Sequence, residues 1–162
     1  MKKTSASAIT LGALLTAAAM IFSYIEAIVP LPLGVPGIKL GLANTVIVYA
    51  LYKLGAKNAF LINLCRIILS SLLFGSFFSM LYALAGGLVS FGAMVLVRRL
   101  RIFSVCGVSM TGGVFHNLAQ ILVAAFIVQT PQVLLYFPVL VFAGILTGIV
   151  NGIIAVLCLK RF

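Results

Sequence analysis

The stretch FFSMLYALAGGLVSFGAMVLVRRLRIFSVCGVSMTGGVFHNLAQILVAAFIV, residues 77–128, decides the fold. It holds two apolar runs, 77–97 and 105–128, with Arg98, Arg99 and Arg101 between them and no acidic residue anywhere. A helix needs about 20 apolar residues to cross the hydrocarbon core of a bilayer. Each run is therefore long enough to span, and the arginines mark the connection that stays on one side.

The same alternation extends over all 162 residues. Further runs cover about residues 9–29, 38–54, 59–76 and 133–159. Between 59–76 and 77–97 the chain reads Gly75-Ser76-Phe77-Phe78-Ser79, a tight uncharged turn. Hydrophobic residues make up 64% of the chain, and its mean hydropathy is +1.34. A soluble domain of this size cannot hide so much apolar side chain, because much of its surface must face water. The runs are solidly apolar, without the two-residue alternation of a membrane β-barrel. The expected fold is an all-α integral membrane protein: residues 1–162 as one compact bundle of six transmembrane helices.

Charge gives the orientation. Glu26 is the single acidic residue, against eleven Lys and Arg. Lys2, Lys3, Lys53, Lys57, Arg98, Arg99, Arg101, Lys160 and Arg161 all fall on one side of a six-span topology. Only Lys39 falls in a connection on the other side, and Arg66 lies within the third span. The positive-inside rule then places both termini in the cytoplasm. The net charge of +10 reads as topology signal and anionic-lipid contact, with no nucleic-acid partner expected. Lys2 and Lys3 before an apolar stretch also resemble a signal peptide. However, 9–29 exceeds an h-region of about 7–15 residues and no A-x-A site follows, so it reads as a retained first span.

Composition removes several chemistries. There is no G-x-x-x-x-G-K-[ST] phosphate loop. One carboxylate cannot form the pair needed for magnesium or for acid–base catalysis. Cys65, Cys106 and Cys158 stand far apart, with no zinc-ligand spacing. No catalytic residue, metal or cofactor is therefore expected, and the chain is not read as an enzyme.

What remains is a set of polar groups in apolar spans. Ser23 and Glu26 lie near the outer end of span one, Asn44 in span two, and Asn63, Arg66 and Ser70 in span three. His116, Asn117 and Gln120 share a face of span five with Gly113, and Thr147 and Asn151 lie in span six. A charge at the bilayer centre costs about 2.5–3.5 kcal/mol on insertion scales. Such groups should face the bundle interior, with a partner or a wet cavity. Candidate lining residues are Lys39, Asn44, Arg66, His116, Asn117 and Gln120, with Glu26 orienting them. Two bases and one acid near an outer cavity favour an anionic or strongly hydrogen-bonding ligand. A structural pair of Glu26 with Lys39 or Arg66 is the alternative.

Two further features have two readings each. The connection Pro30-Leu31-Pro32-Leu33-Gly34-Val35-Pro36-Gly37 is apolar yet cannot be helical. It is either a lid over a cavity, carried by Pro30, Pro32, Gly34, Pro36 and Gly37, or a stiff turn. Small residues three and four apart let helix backbones approach closely. Gly144, Gly148 and Gly152 form such a ridge in span six, and Ser79, Ala83, Gly86, Gly87 and Ser90 form one in span four; both suit packing within the bundle. Ala13 and Ala17 in span one suit either bundle packing or docking of another subunit.

Five ordered motifs carry a family resemblance. They are Pro36-Gly37-Ile38-Lys39-Leu40-Gly41-Leu42-Ala43-Asn44; Arg66 followed by Leu72-Leu73-Phe74-Gly75; Leu84-Ala85-Gly86-Gly87-Leu88-Val89-Ser90; Gly112-Gly113-Val114-Phe115-His116-Asn117-Leu118-Ala119-Gln120; and Gly144-Ile145-Leu146-Thr147-Gly148. Over nearly its whole length the chain resembles small bacterial Gx transporters, also labelled heptaprenyl diphosphate synthase component I. That family in turn resembles the S components of energy-coupling factor importers. The resemblance implies six helices in the bacterial cytoplasmic membrane, a small micronutrient-like solute, and a lid in the first outer loop. It also implies a transmembrane T component docked at Ala13 and Ala17, with two partner ATPases. The synthase label implies instead an accessory subunit beside a prenyl or quinone enzyme, or beside a membrane electron-transfer complex. A stand-alone transporter is a third reading.

The orientation is directly testable. In a background with Cys65, Cys106 and Cys158 replaced by alanine, Leu100→Cys should resist an impermeant thiol reagent in intact cells and react once the membrane is opened. Reaction in intact cells overturns the topology.

Overall fold

A computed structural model describes residues 5–28 and 41–161, and these are almost wholly helical. The helices are α1 (Ser5–Ile28), α2 (Leu42–Lys53), α3 (Ala56–Phe74), α4 (Phe77–Arg99), α5 (Val105–Val128) and α6 (Phe137–Arg161), with a 3-10 turn at Pro131–Tyr136 before α6. Five stretches are long and apolar enough to cross a membrane, which makes the chain a multi-pass membrane protein.

Local chemistry sets the ends. Between α3 and α4 only Gly75 and Ser76 intervene. The Ser76 hydroxyl accepts from the Ser79 amide at 3.2 Å, while the Ser76 amide donates to the Ser79 hydroxyl at 2.8 Å, a reciprocal cap. Ser104 caps α5 by accepting from the Gly107 amide at 3.2 Å. Arg98 and Arg99 occupy the last turn of α4, and Lys160 and Arg161 that of α6, where cations favour the negative helix end.

Two expected spans differ from what is observed. The span expected at 38–54 is represented by the 12-residue α2. That is about 18 Å of helix, short of the roughly 30 Å hydrocarbon core. Its start is fixed by Gly41, whose φ of 70° is left-handed and cannot continue a helix backwards. Residues 38–40, like Lys2, Lys3, Lys39 and the proline-rich 30–37 segment, lie outside the described residues. The span expected at 133–159 is a 3-10 turn followed by α6. Pro138, second in α6, has no amide to donate to the preceding turn, so a regular α-helix cannot run through it.

α2 is the central element. It touches α1, α3, α5 and α6, and Ile47 and Leu51 are fully buried. Around its C-terminal half gather Ala59 and Ile62 of α3, Phe91 and Met94 of α4, Val108 of α5 and Ala155 of α6. At the same end the Arg98 guanidinium lies 4.8 Å over the Tyr52 ring. α6 runs antiparallel to α5, with Gly152 against Cys106. Lys53, Lys57, Arg98, Arg99, Arg101, Lys160 and Arg161 thus share one end of the bundle, and the dry core sits just inside it.

Lipid offers no hydrophobic drive to hold helices together, so close backbone packing does it. A Cβ on Gly144 would stand 2.9 Å from the Gly113 carbonyl, and one on Gly148 2.5 Å from the Met110 Cα. The Gly144, Gly148 and Gly152 ridge is therefore the α5–α6 seam. In contrast, Ala13 and Ala17 lie on an exposed face of α1. Gly148→Leu should destabilise the bundle by about 1–3 kcal/mol through overpacking and so lower its melting temperature in detergent. Gly92→Leu, with nothing within 4 Å of its Cβ position, should leave it unchanged.

Candidate functional site

Beyond the dry core, toward the end of the bundle opposite the basic clusters, the helices part around a cavity of about 210 Å³. All six helices contribute to its wall. Glu26, Asn44, Arg66, His116, Asn117 and Gln120, singled out from the sequence, all line it. Lys39 and the Pro30, Pro32, Gly34, Pro36 and Gly37 segment lie outside the described residues. Ser23, Ser70, Thr147 and Asn151, noticed in the sequence only as polar groups in apolar spans, line it too. So do Ser71 and Ser109, which carried no sequence signal at all.

Arg66 is set by α3 itself. Its Nε and Nη2 donate to Asn63 Oδ1, one turn earlier, at 3.1 and 3.0 Å. Asn63, 2% exposed, is anchored in turn: its Nδ2 donates to the Gly87 carbonyl on α4 at 3.1 Å. Gly87 permits this approach, since a Cβ there would run into Ile67 and reach 3.4 Å from Asn63 Nδ2. The guanidinium is thus oriented by a neutral amide, and its Nη1 group donates to nothing among the described residues.

Glu26 has a different task. Its Oε1 accepts from the Leu42 amide at 2.9 Å, an amide at the start of α2 that has no partner within its own helix. Asn151 on α6 holds the other side of that start. Its Nδ2 donates to the Gly41 carbonyl at 3.1 Å, and its Oδ1 accepts from the Thr45 hydroxyl at 2.8 Å. Neither Glu26 nor Arg66 donates or accepts toward the other. Glu26 is bound to backbone rather than hydrogen-bonded to Arg66, and the alternative pairing of Glu26 with Lys39 lies outside the described residues.

On the opposite wall, Asn117 Nδ2 donates to the Leu140 carbonyl at 2.8 Å, tying α5 to α6. The His116 ring packs on Gly86, where a Cβ would come within 2.7 Å of the imidazole. Gln120 and Asn44 present amides to the cavity with no side-chain hydrogen bond among the described residues. The Ser70 hydroxyl is buried there without a hydrogen-bond partner among them. Among the described residues no three metal-ligating side chains gather. The arrangement offers one guanidinium, one carboxylate, one imidazole and several amides and hydroxyls: a set for holding a polar solute.

Comparison with known proteins gives one family. The family model described as heptaprenyl diphosphate synthase component I matches residues 15–158. Neither a curated protein nor a solved structure matches the chain. The match covers α2 to α5 in full, α1 from residue 15 and α6 as far as residue 158, with every described residue of the cavity wall, and the chain belongs to the heptaprenyl diphosphate synthase component I family.

Proposed function

We propose that this chain is the membrane-embedded solute-binding subunit of an importer, similar to the S component of an energy-coupling factor transporter. It sits in the bacterial cytoplasmic membrane with the basic end inside and the cavity toward the outer side. It performs no chemistry of its own. The observation that carries the reading is the polar cavity walled by all six helices, with Arg66 held in it by a neutral amide. An ionic group in a membrane span marks a solute path by default, because its cost needs a compensating function.

Size supports a small organic solute. Liquid water takes about 30 Å³ per molecule, so the cavity has the bulk of about seven waters. Glu26, Lys39, Asn44, Arg66, His116, Asn117 and Gln120 are the proposed binding set, and residues 30–37 the proposed lid. ATP hydrolysis falls to partner subunits, joined through a transmembrane T component at Ala13 and Ala17. The exposure of that face of α1 supports such docking.

The family's description supports a second reading, a non-catalytic membrane subunit beside a prenyl diphosphate enzyme; the same class of role beside a quinone enzyme or an electron-transfer complex is its wider form. Co-purification from native membranes separates the two. A T component with ATPases is expected; a prenyl synthase or flavoprotein in their place overturns the importer.

Two further outcomes test it. Protein purified without added ligand should release a small organic solute that raises its melting temperature when added back. Release of phospholipid alone would count decisively against a solute-binding subunit. Ala13→Leu with Ala17→Leu should abolish uptake in cells while leaving solute binding by the purified chain intact; unchanged uptake points to a stand-alone transporter.

A further inference from the structure

We infer that the solute is a small zwitterion, with its acidic group at Arg66 and its basic or strongly donating group at Glu26. This rests on the solute-binding reading above and narrows it to a substrate class.

Three observations carry it. First, both ionic groups line one cavity, yet each is fixed by a different neutral partner. Arg66 uses Nε and Nη2 on Asn63, and Glu26 uses Oε1 on the Leu42 amide. Nη1 of Arg66 and Oε2 of Glu26 are hydrogen-bonded to no described residue. Each charge therefore keeps hydrogen-bonding capacity for a guest.

Second, the two stand at different depths. The Tyr24 and Phe74 rings meet at 4.7 Å, which puts these positions of α1 and α3 at one level. Arg66 precedes Phe74 by two turns and Glu26 follows Tyr24, so Arg66 is deeper by on the order of 10 Å along the helices. Their long side chains close part of that gap. The cavity is thus polarised along its length, positive at depth and negative toward the end of α1. Its complement is a molecule polarised the opposite way, entering acid first.

Third, charge balance between Arg66 and Glu26 favours a guest that carries both charges. While the cavity holds water, both ions are solvated. A solute that fills it displaces that water. A bare anion satisfies Arg66 but leaves Glu26 desolvated beside a like charge, and a bare cation does the reverse to Arg66. An ion stripped of water without a counter-group is costly. A zwitterion serves both and adds no net charge to a low-dielectric site. Among the described lining residues Arg66 and Glu26 balance, so a guest matched to those two carries both charges.

The test starts from the full chain purified from native membranes into lipid nanodiscs. Small molecules released by organic extraction are read by mass spectrometry in both ion polarities. One compound with an acidic group and a basic nitrogen is expected. Glu26→Gln and Arg66→Gln should each cut its occupancy about tenfold or more, as charge-assisted hydrogen bonds are lost. Glu26→Gln is informative because its amide oxygen still accepts the Leu42 N–H, so charge is removed while the start of α2 stays anchored.

A second measurement needs no variant to fold. The methyl ester and the N-acetyl derivative of the recovered compound each block one end. Each should bind wild-type protein about tenfold or more weakly. A recovered solute with only an acidic or only a basic group overturns the zwitterion and leaves the importer standing. So does full binding by either derivative, or higher occupancy in Glu26→Gln. Recovery of phospholipid alone, or of nothing, overturns both.

Discussion

A helix that stops inside a bilayer must find partners for its loose end, and the whole architecture turns on how α2 finds them. Its first amide goes to Glu26 of α1, and the carbonyl just before it goes to Asn151 of α6. Non-helical backbone at membrane depth survives only when protein or a wet cavity takes up its polar groups. Here two side chains from helices on either side do so, and Asn151 also receives the Thr45 hydroxyl. The clamp fixes three helices relative to one another at the cavity wall. It also accounts for the lone acid of the chain: Glu26 is retained in an apolar span because backbone needs it.

Stopping α2 early divides the bundle into unlike halves. Where α2 is present, Ile47, Val48 and Leu51 fill the centre and the helices close on them. Toward the start of α2, Gly41, Ala43 and Asn44 border the cavity instead. The α5–α6 seam runs past both halves, because Gly144, Gly148 and Gly152 let the two backbones touch along their length. A rigid seam on one side and a short central helix on the other give a plugged basic end and a hollow opposite one.

Much of this was legible from residues alone, for a plain reason. In lipid the cost of a polar group is large, so Glu26, Asn44, Arg66, His116, Asn117 and Gln120 had nowhere to go but inward. α5 matches the span expected at 105–128 in full, because Ser104 and the arginines before it mark its start without ambiguity. The start of α2 was not legible. Apart from Lys39 the residues from Ile38 to Ala43 are apolar or small, and composition gives no sign of the left-handed backbone at Gly41 where α2 begins. Nor was the partner of Arg66. Asn63 at i−3 is close in sequence, yet a carboxylate is the usual expectation for a buried guanidinium, and pairing by charge alone pointed to Glu26. The 3-10 turn before α6 was hidden because Leu134, Leu135 and Phe137 are as apolar as the helix they precede, though Pro138 carried the signal.

The family's description names a synthase, and the position of Glu26 bears on how that name fits. Ionising a prenyl diphosphate takes magnesium held by several carboxylates. Within these 162 residues there is one, and it is engaged with the Leu42 amide. Turning Glu26 toward a metal would free the start of α2 and open the wall of the cavity. The carboxylates of any such reaction are not found among these 162 residues. What this chain supplies is a polar chamber inside the membrane, in which charges are few, spaced apart and held by neutral neighbours. In such a chamber Arg66 and Glu26 each keep an unused hydrogen-bonding atom among the described residues, because Asn63 and the Leu42 amide take up only part of what they offer.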